Sequence, residues 1–177
     1  MNLPNKLSIA RVLCIPVIAV LMYLGSDGCR IAAGVVFILA SLTDLLDGHI
    51  ARKYNLITDF GKFIDPVADK LLVLTTLVLL VRAGLMEAWV VLVILCRELA
   101  VDGLRMVAVG QGKVIAAGKL GKWKTTFQMV TIVTVILLNK ACFATWYTGV
   151  LTGVSVALTL ASAVDYFVRN RSVFGTK

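Results

Sequence analysis

The chain has 177 residues, of which 59% are hydrophobic and 16% are charged, and its mean hydropathy is +0.92. These values exclude an ordinary soluble domain and predict a polytopic membrane protein forming one domain over residues 1–177. The net charge of +8 is expected to anchor loops to anionic lipid, and no nucleic-acid partner is expected. The four cysteines show no metal-ligand spacing and are interpreted as inert apolar residues, although a disulfide between Cys29 and Cys142 stays open.

Six apolar segments predict an all-α integral membrane protein with six transmembrane helices and a short N-terminal interfacial segment over residues 1–7. Turns are expected at Ser26-Asp27-Gly28 and Ala83-Gly84, and a long basic loop over 110–124. Most lysines and arginines fall on one side of this topology, which places both chain termini in the cytoplasm. The predicted spans are 9–24, 31–51, 63–81, 88–109, 125–138 and 146–168.

Four carboxylates, Asp44, Asp47, Asp65 and Asp69, lie at the ends of the second and third segments. Helical spacing puts each pair on one face of its helix, so antiparallel neighbours would bring all four together. Close negative charges repel unless cations lie between them, and oxygen ligands favour Mg²⁺, Mn²⁺ or Ca²⁺. The competing interpretation is a set of ordinary helix-end charges with small residues for helix packing.

The pattern Asp-x2-Asp-Gly-x2-Ala-Arg-x8-Gly-x3-Asp-x3-Asp, from Asp44 to Asp69, resembles the signature of the CDP-alcohol phosphatidyltransferases. The resemblance implies an integral membrane enzyme that moves a phosphatidyl group from a CDP-linked lipid to a small alcohol and releases CMP. It also implies a homodimer in a bacterial inner (cytoplasmic) membrane, with the active site facing the cytoplasm.

Carried over residue by residue, the resemblance makes Asp44, Asp47 and Asp65 ligands of two Mg²⁺ or Mn²⁺ ions. Asp69 would be the catalytic base and a further ligand. The family positions that contact the cytidine diphosphate are matched by Gly48, Arg52 and Thr58. Asn5 and Arg11 are candidate polar contacts near the nucleotide, with helix capping and cytoplasmic anchoring as the alternatives.

The acceptor site is predicted from basic residues in the second half of the chain. Arg97, Arg105, Lys122 and Lys124 would give a phosphorylated acceptor several positive partners, which favours glycerol 3-phosphate. The wider likeness is to family members that use this acceptor. Anchoring to lipid headgroups is the alternative for these cations, and a structural ion-pair ladder is the alternative on the face that Arg105 shares with Glu98 and Asp102.

Two other functions stay open at this point. The same chemistry could serve serine, an inositol phosphate or phosphatidylglycerol as acceptor. A divalent-cation transporter is disfavoured because an ion path needs polar lining throughout, whereas the second and third spans are apolar away from the aspartates.

Overall fold

A computed structural model describes residues 3–53, 59–113, 115, 118–138 and 144–173. Within these ranges the side chains of 3–4, 45–53, 59–60, 62–63, 119, 144–145 and 172 are not described. The described residues form six α-helices and one short 3-10 helix, Arg171–Val173, which confirms the all-α prediction. The helices are α1 Leu3–Leu24, α2 Asp27–Lys53, α3 Asp59–Arg82, α4 Ala88–Gly110, α5 Lys119–Leu138 and α6 Ala144–Arg169.

Left-handed glycines follow three of the helices, at Gly25 after α1, Gly84 after α3 and Gly112 after α4. Gly84 has a φ of +68°, and the amides of Gly84 and Leu85 donate to the carbonyls of Val81 and Leu80 at 3.0 and 2.9 Å. This is a Schellman motif, in which a left-handed glycine lets the chain satisfy the last carbonyls of α3. It confirms the turn predicted at Ala83-Gly84.

The first turn differs from the prediction at Ser26-Asp27-Gly28. Gly25 takes the left-handed conformation, with a φ of +68°, and α2 already begins at Asp27. Ser26 caps that helix, because its Oγ accepts a hydrogen bond from the Cys29 amide at 3.2 Å. The Ser-Asp pair therefore starts a helix instead of forming the loop.

Two further boundaries correct the sequence analysis. The separate interfacial segment over residues 1–7 is wrong from Leu3 onward, since α1 is continuous from Leu3 to Leu24. The basic loop predicted over 110–124 is shorter, because α5 begins at Lys119. Cys14, Cys29 and Cys96 are free thiols, as expected, and Cys142 lies outside the described residues.

The chain divides into two compact units. Unit 1 comprises Met1–Met86 and Ile132–Asn139, and unit 2 comprises Glu87–Thr131 and Lys140–Lys177. In unit 1, α1 packs against both α2 and α3. The interior of unit 1 is formed by small and large apolar side chains, including Ile18, Met22, Ala33, Phe37, Ala68, Leu72 and Leu80.

Gly34 lets the end of α5 approach α2 closely within unit 1. A Cβ added there would lie 2.8 Å from Leu137 Cδ2 and 3.0 Å from Ile136 Cγ2. Gly34→Leu is therefore expected to lower the thermal midpoint by several degrees, because overpacking costs about 1–3 kcal/mol. Gly28→Leu, on the same helix with no atom within 4 Å of the added Cβ, is the control and should leave the midpoint unchanged. Equal melting of both variants would contradict this packing.

In unit 2, α4 packs against α6 and the 3-10 helix. Val101, Leu104 and Ala108 of α4 form an apolar cluster with Tyr166 and Val173. The Gln111 side-chain amide donates to the Val173 carbonyl at 3.0 Å. These contacts fix α4, α6 and the 3-10 helix together as a helical scaffold for the charged side chains of unit 2.

Two helical stretches are long and apolar enough to cross a membrane, judged on the described residues, and they are Asn5–Leu24 and Trp146–Arg169. By contrast, α4 carries four charged residues between positions 97 and 105, which lowers its hydropathy. Three of those residues, Arg97, Glu98 and Arg105, have partners inside unit 2, as described below.

Candidate active site

Helix α1 carries a buried polar face in an otherwise apolar sequence. Asn5, Ser8 and Arg11 are only 6%, 0% and 1% exposed, and their spacing of three puts them on one side of the helix. Farther along α1 the buried side chains become apolar, at Ile18 and Met22. Buried polar groups are costly without partners, so this face must meet polar groups on neighbouring helices.

Those partners are the aspartates of the motif. Arg11 Nη1 lies 2.7 Å from Asp44 Oδ1 of α2, and the Ser8 hydroxyl donates to Asp65 Oδ1 of α3. One helix therefore holds a carboxylate from each half of the motif, which the sequence analysis predicted to converge. Arg11, a candidate polar contact near the nucleotide, thus contacts an aspartate of the motif, and the nucleotide contact stays a prediction.

Ser8 was missed in the sequence analysis. The signal was present, because Asn5, Ser8 and Arg11 recur every three residues in a helix that is otherwise almost entirely apolar. Polar residues on one face of an apolar helix are expected to face the protein interior and to pair with polar groups there.

Asp69 lies one helical turn beyond Asp65 on α3 and is half-buried. Ala68, beside it, is fully buried. The backbone of Asp47, Gly48 and Arg52 belongs to α2, but their side chains lie outside the described residues, and so does Thr58 entirely. The predicted nucleotide contacts therefore stay predictions.

The described donors have the chemistry that a hard divalent cation prefers. Asp44 and Asp65 offer carboxylate oxygens, and the Asp44 side chain keeps 32% of its surface exposed beside Arg11, so a ligand can still reach it. Oxygen-only donor sets suit Mg²⁺ or Mn²⁺. Among the residues with described side chains, no three His, Cys, Asp or Glu residues are grouped closely enough to hold a metal; Asp47 is not among those residues.

A second polar cluster lies inside unit 2. Arg97 of α4 donates to Glu98 at 3.0 Å and to Ser162 Oγ of α6 at 3.1 Å. Lys124 of α5 forms an ion pair with the same Glu98 carboxylate oxygen. Arg97, a candidate for the acceptor phosphate, therefore has polar partners on both α4 and α6.

Lys124 corrects the predicted loop, while its role at the acceptor phosphate stays a prediction. It was expected in the basic loop over 110–124, but it lies on α5 with its side chain only 4% exposed and paired with Glu98. Glu98 thus shares its charge between Arg97 and Lys124, which leaves one net positive charge on the three residues. Glu98, which helical spacing assigned to an ion-pair ladder along α4, pairs across to Lys124 of α5.

Arg105 and Lys122 complete the set of predicted cations. The Arg105 Nε donates to the Tyr166 hydroxyl at 3.0 Å, with the guanidinium 5.6 Å from the ring centroid. This fixes Arg105 near one end of α4 while it stays half-buried. Lys122 lies on the first turn of α5 with its side chain exposed, so a ligand can reach it.

Comparison with known proteins identifies the class that this arrangement belongs to. The sequence model of a family described as CDP-alcohol phosphatidyltransferase matches residues 1–161. This range includes the whole aspartate motif and the polar face of α1. Of the second polar cluster it includes all residues except Ser162. The chain belongs to the CDP-alcohol phosphatidyltransferase family.

Several curated relatives match over nearly their whole length. A Bacillus subtilis (strain 168) protein is 42% identical, covering 96% of this chain and 95% of the relative. A Rickettsia typhi protein is 38% identical, covering 98% and 99%. A Pseudomonas fluorescens protein is 40% identical, covering 94% and 88%. All three are named CDP-diacylglycerol–glycerol-3-phosphate 3-phosphatidyltransferase.

Proposed function

We propose that the chain transfers the phosphatidyl group of CDP-diacylglycerol to glycerol 3-phosphate, giving phosphatidylglycerophosphate and CMP in phospholipid biosynthesis. Its family and the names of its near full-length relatives support this reaction. The observation that carries the proposal is the polar face of α1, where Arg11 and Ser8 hold Asp44 and Asp65 from two different helices. An enzyme of this class needs the two halves of its aspartate motif in one place.

The chemistry follows from the residues. The acceptor hydroxyl attacks the phosphorus on the lipid side of the diphosphate, and the bond from that phosphorus to the bridging oxygen breaks as CMP leaves. Asp69 takes the hydroxyl proton. No Ser, Cys or His of the motif stands at a matching position for a covalent intermediate, so the transfer is direct.

Asp44, Asp47, Asp65 and Asp69 would hold two Mg²⁺ or Mn²⁺ ions. When bound, such ions neutralise the diphosphate and its developing charge. Gly48, Arg52 and Thr58 are assigned to the cytidine diphosphate.

We assign the acceptor phosphate to the cations predicted from the second half of the sequence. Arg105 and Lys122 are the foremost of these, because Arg97 and Lys124 share the Glu98 carboxylate. Arg97 and Lys124 link α4 to α5 through Glu98, and the three residues keep one net positive charge. A phosphorylated acceptor suits such a basic surface better than serine does.

The membrane setting is also part of the proposal. All six helices expose large apolar side chains. Large exposed apolar surfaces mark membrane or protein contacts, and we assign each helix to one transmembrane span. The excess of lysine and arginine around the motif supports an active site on the cytoplasmic side of a bacterial inner membrane, and the resemblance favours a homodimer. Examples of the exposed apolar side chains, one from each helix, are Leu13, Leu39, Val78, Leu92, Val130 and Leu160.

Labelled glycerol 3-phosphate tests this proposal. Purified protein in detergent with CDP-diacylglycerol and Mg²⁺ or Mn²⁺ should move the label into chloroform-soluble lipid. A chelator should stop the transfer, and restoring the divalent ion should recover it. Transfer that continues unchanged in the presence of chelator would contradict the metal assignment.

Lys122→Gln tests the acceptor site separately. We expect the KM for glycerol 3-phosphate to rise about tenfold, because one charge-assisted contact to phosphate is lost, while the KM for CDP-diacylglycerol stays the same. The matched control is Arg169→Gln, which removes an exposed cation of α6 that pairs with Asp165. Equal KM changes in both variants would show a general charge effect and remove Lys122 from the site.

A further inference from the structure

A cavity of about 260 Å³ lies at the end of unit 1 remote from Asp44 and Asp65. The end of α1, the first turn of α2 and the turn after α3 enclose it, and Tyr23, Arg30 and Arg82 contribute to its lining. Tyr23 follows Arg11 by twelve residues on α1, which is about 18 Å along the helix axis. The cavity is therefore separate from the aspartate site.

Arg82 is held at the cavity by an aromatic ring. Its guanidinium carbon lies 3.5 Å from the centroid of the Tyr23 ring, which is a cation–π contact. A stacked guanidinium keeps its N–H groups in its own plane, directed past the ring and not into it. Arg82 can therefore still donate hydrogen bonds to a ligand in the cavity.

Arg30 brings a second guanidinium, with its side chain 18% exposed. Its Nε is buried and, among the residues that the structure describes, has no hydrogen-bond partner. Its Nη2 lies 3.6 Å from Asp27 Oδ1, beyond hydrogen-bond distance, and that carboxylate is 52% exposed. Arg30 and Arg82 thus give the cavity lining two guanidinium groups, and the half-exposed Asp27 carboxylate lies beside Arg30.

We propose that this cavity binds the phosphate group of a phospholipid headgroup, with Arg30 and Arg82 as the donors. Planar guanidinium groups match phosphate oxygens in pairs through their N–H groups, and two of them face one cavity here. The volume falls below the roughly 300–1,000 Å³ of pockets that enclose whole small molecules. It suits a headgroup phosphate.

The surroundings favour a lipid over a free anion. Leu24 and Ile31, which flank the cavity in sequence, are 66% and 53% exposed. Acyl chains can lie along these apolar side chains while the phosphate enters the cavity, since the two parts of a phospholipid need neighbouring apolar and basic surfaces.

Binding to the full-length protein in detergent tests this site, with chelator present so that divalent ions do not contribute. The probes are dihexanoyl-phosphatidylglycerol, inorganic phosphate, and dihexanoylglycerol as the lipid without phosphate. The proteins are the wild type, the double variant Arg30→Gln with Arg82→Gln, and Arg169→Gln as a matched control for loss of an exposed cation. Native mass spectrometry counts the bound lipids, and calorimetry gives their affinities.

We expect the double variant to lose one bound phosphatidylglycerol, or to bind it at least about tenfold more weakly, while Arg169→Gln binds as the wild type does. Dihexanoylglycerol should not occupy the site. CMP release should be unchanged in the double variant, because the cavity is remote from the aspartates, so this result stands apart from the test of the proposed function.

Arg30→Gln alone keeps the Arg82–Tyr23 contact and replaces the double variant if that one does not fold; Arg30→Lys should retain part of the affinity. Equal lipid binding by wild type and the arginine variants would overturn the proposal. Arginine-dependent binding of inorganic phosphate without any binding of the lipid would overturn the assignment to a phospholipid and leave a free-anion site.

Discussion

Asp69→Asn is expected to lower the turnover number for CMP release by about 10²- to 10⁴-fold, the range in which a positioned general base contributes. The asparagine keeps the size of the side chain but cannot take the acceptor proton. Asp69 lies one turn from Asp65, which Ser8 holds in place, so the loss should fall on the chemical step. Single-turnover kinetics at saturating glycerol 3-phosphate measure it.

Two controls accompany Asp69→Asn: a test that the variant is folded, and a test that it still binds metal. The thermal midpoint and the helical circular dichroism should match those of the wild type, because Ser8–Asp65 and Arg11–Asp44 are untouched. Mn²⁺ should still bind, though more weakly, through the remaining aspartates. A variant that keeps more than about a tenth of wild-type turnover would remove Asp69 from the role of base.

Asp44→Asn is expected to have the second-largest effect, because it removes a metal ligand and also lowers the stability of the fold. Removing one partner of a buried ion pair costs about 3–5 kcal/mol, and Arg11 is 1% exposed. We take the lower end because the Asp44 side chain is 32% exposed. At about 2–4 °C per kcal/mol for a chain of this size, the thermal midpoint should fall by roughly 6–12 °C.

A second substitution separates stability from catalysis. Arg11→Met combined with Asp44→Asn removes both charges and leaves an apolar side chain in the buried position, so the thermal midpoint should recover much of its loss. Activity should not recover, because the metal ligand is still missing. If the double variant melts as low as Asp44→Asn alone, the Arg11–Asp44 pair is not the source of the destabilisation. If it regains activity, Asp44 is not a ligand.

Much of the site could be predicted from sequence because its chemistry repeats at helical spacing. The two aspartate pairs are fixed by gaps of three and four on two helices, and the structure brings one member of each pair to α1. The identity of the bridging helix could not be predicted from the motif alone. It depends on how α1 packs against α2 and α3, which spacing within one helix does not encode.

The two wrong helix boundaries, at the start of α5 and at the start of α2, also have physical causes. Lys124 lies in a basic run that suggests a solvated loop, yet the apolar periodicity after Lys119 extends the helix backward and buries the lysine against Glu98. At the first turn, Ser-Asp-Gly is as good a helix start as it is a loop. The glycine just before it, Gly25, decides between them by taking the left-handed conformation.

The central claim is that these aspartates join a phosphatidyl group to glycerol 3-phosphate, and a competition assay tests it most directly. Purified protein, CDP-diacylglycerol and Mn²⁺ are mixed with equal concentrations of glycerol 3-phosphate, serine, an inositol phosphate and phosphatidylglycerol, and mass spectrometry identifies the lipid products. We predict phosphatidylglycerophosphate as the dominant product, formed in equal amount to CMP and lost in Asp69→Asn. A different dominant phospholipid would keep the chemistry and contradict the acceptor, and folded protein that makes no lipid and no CMP would contradict the enzyme itself.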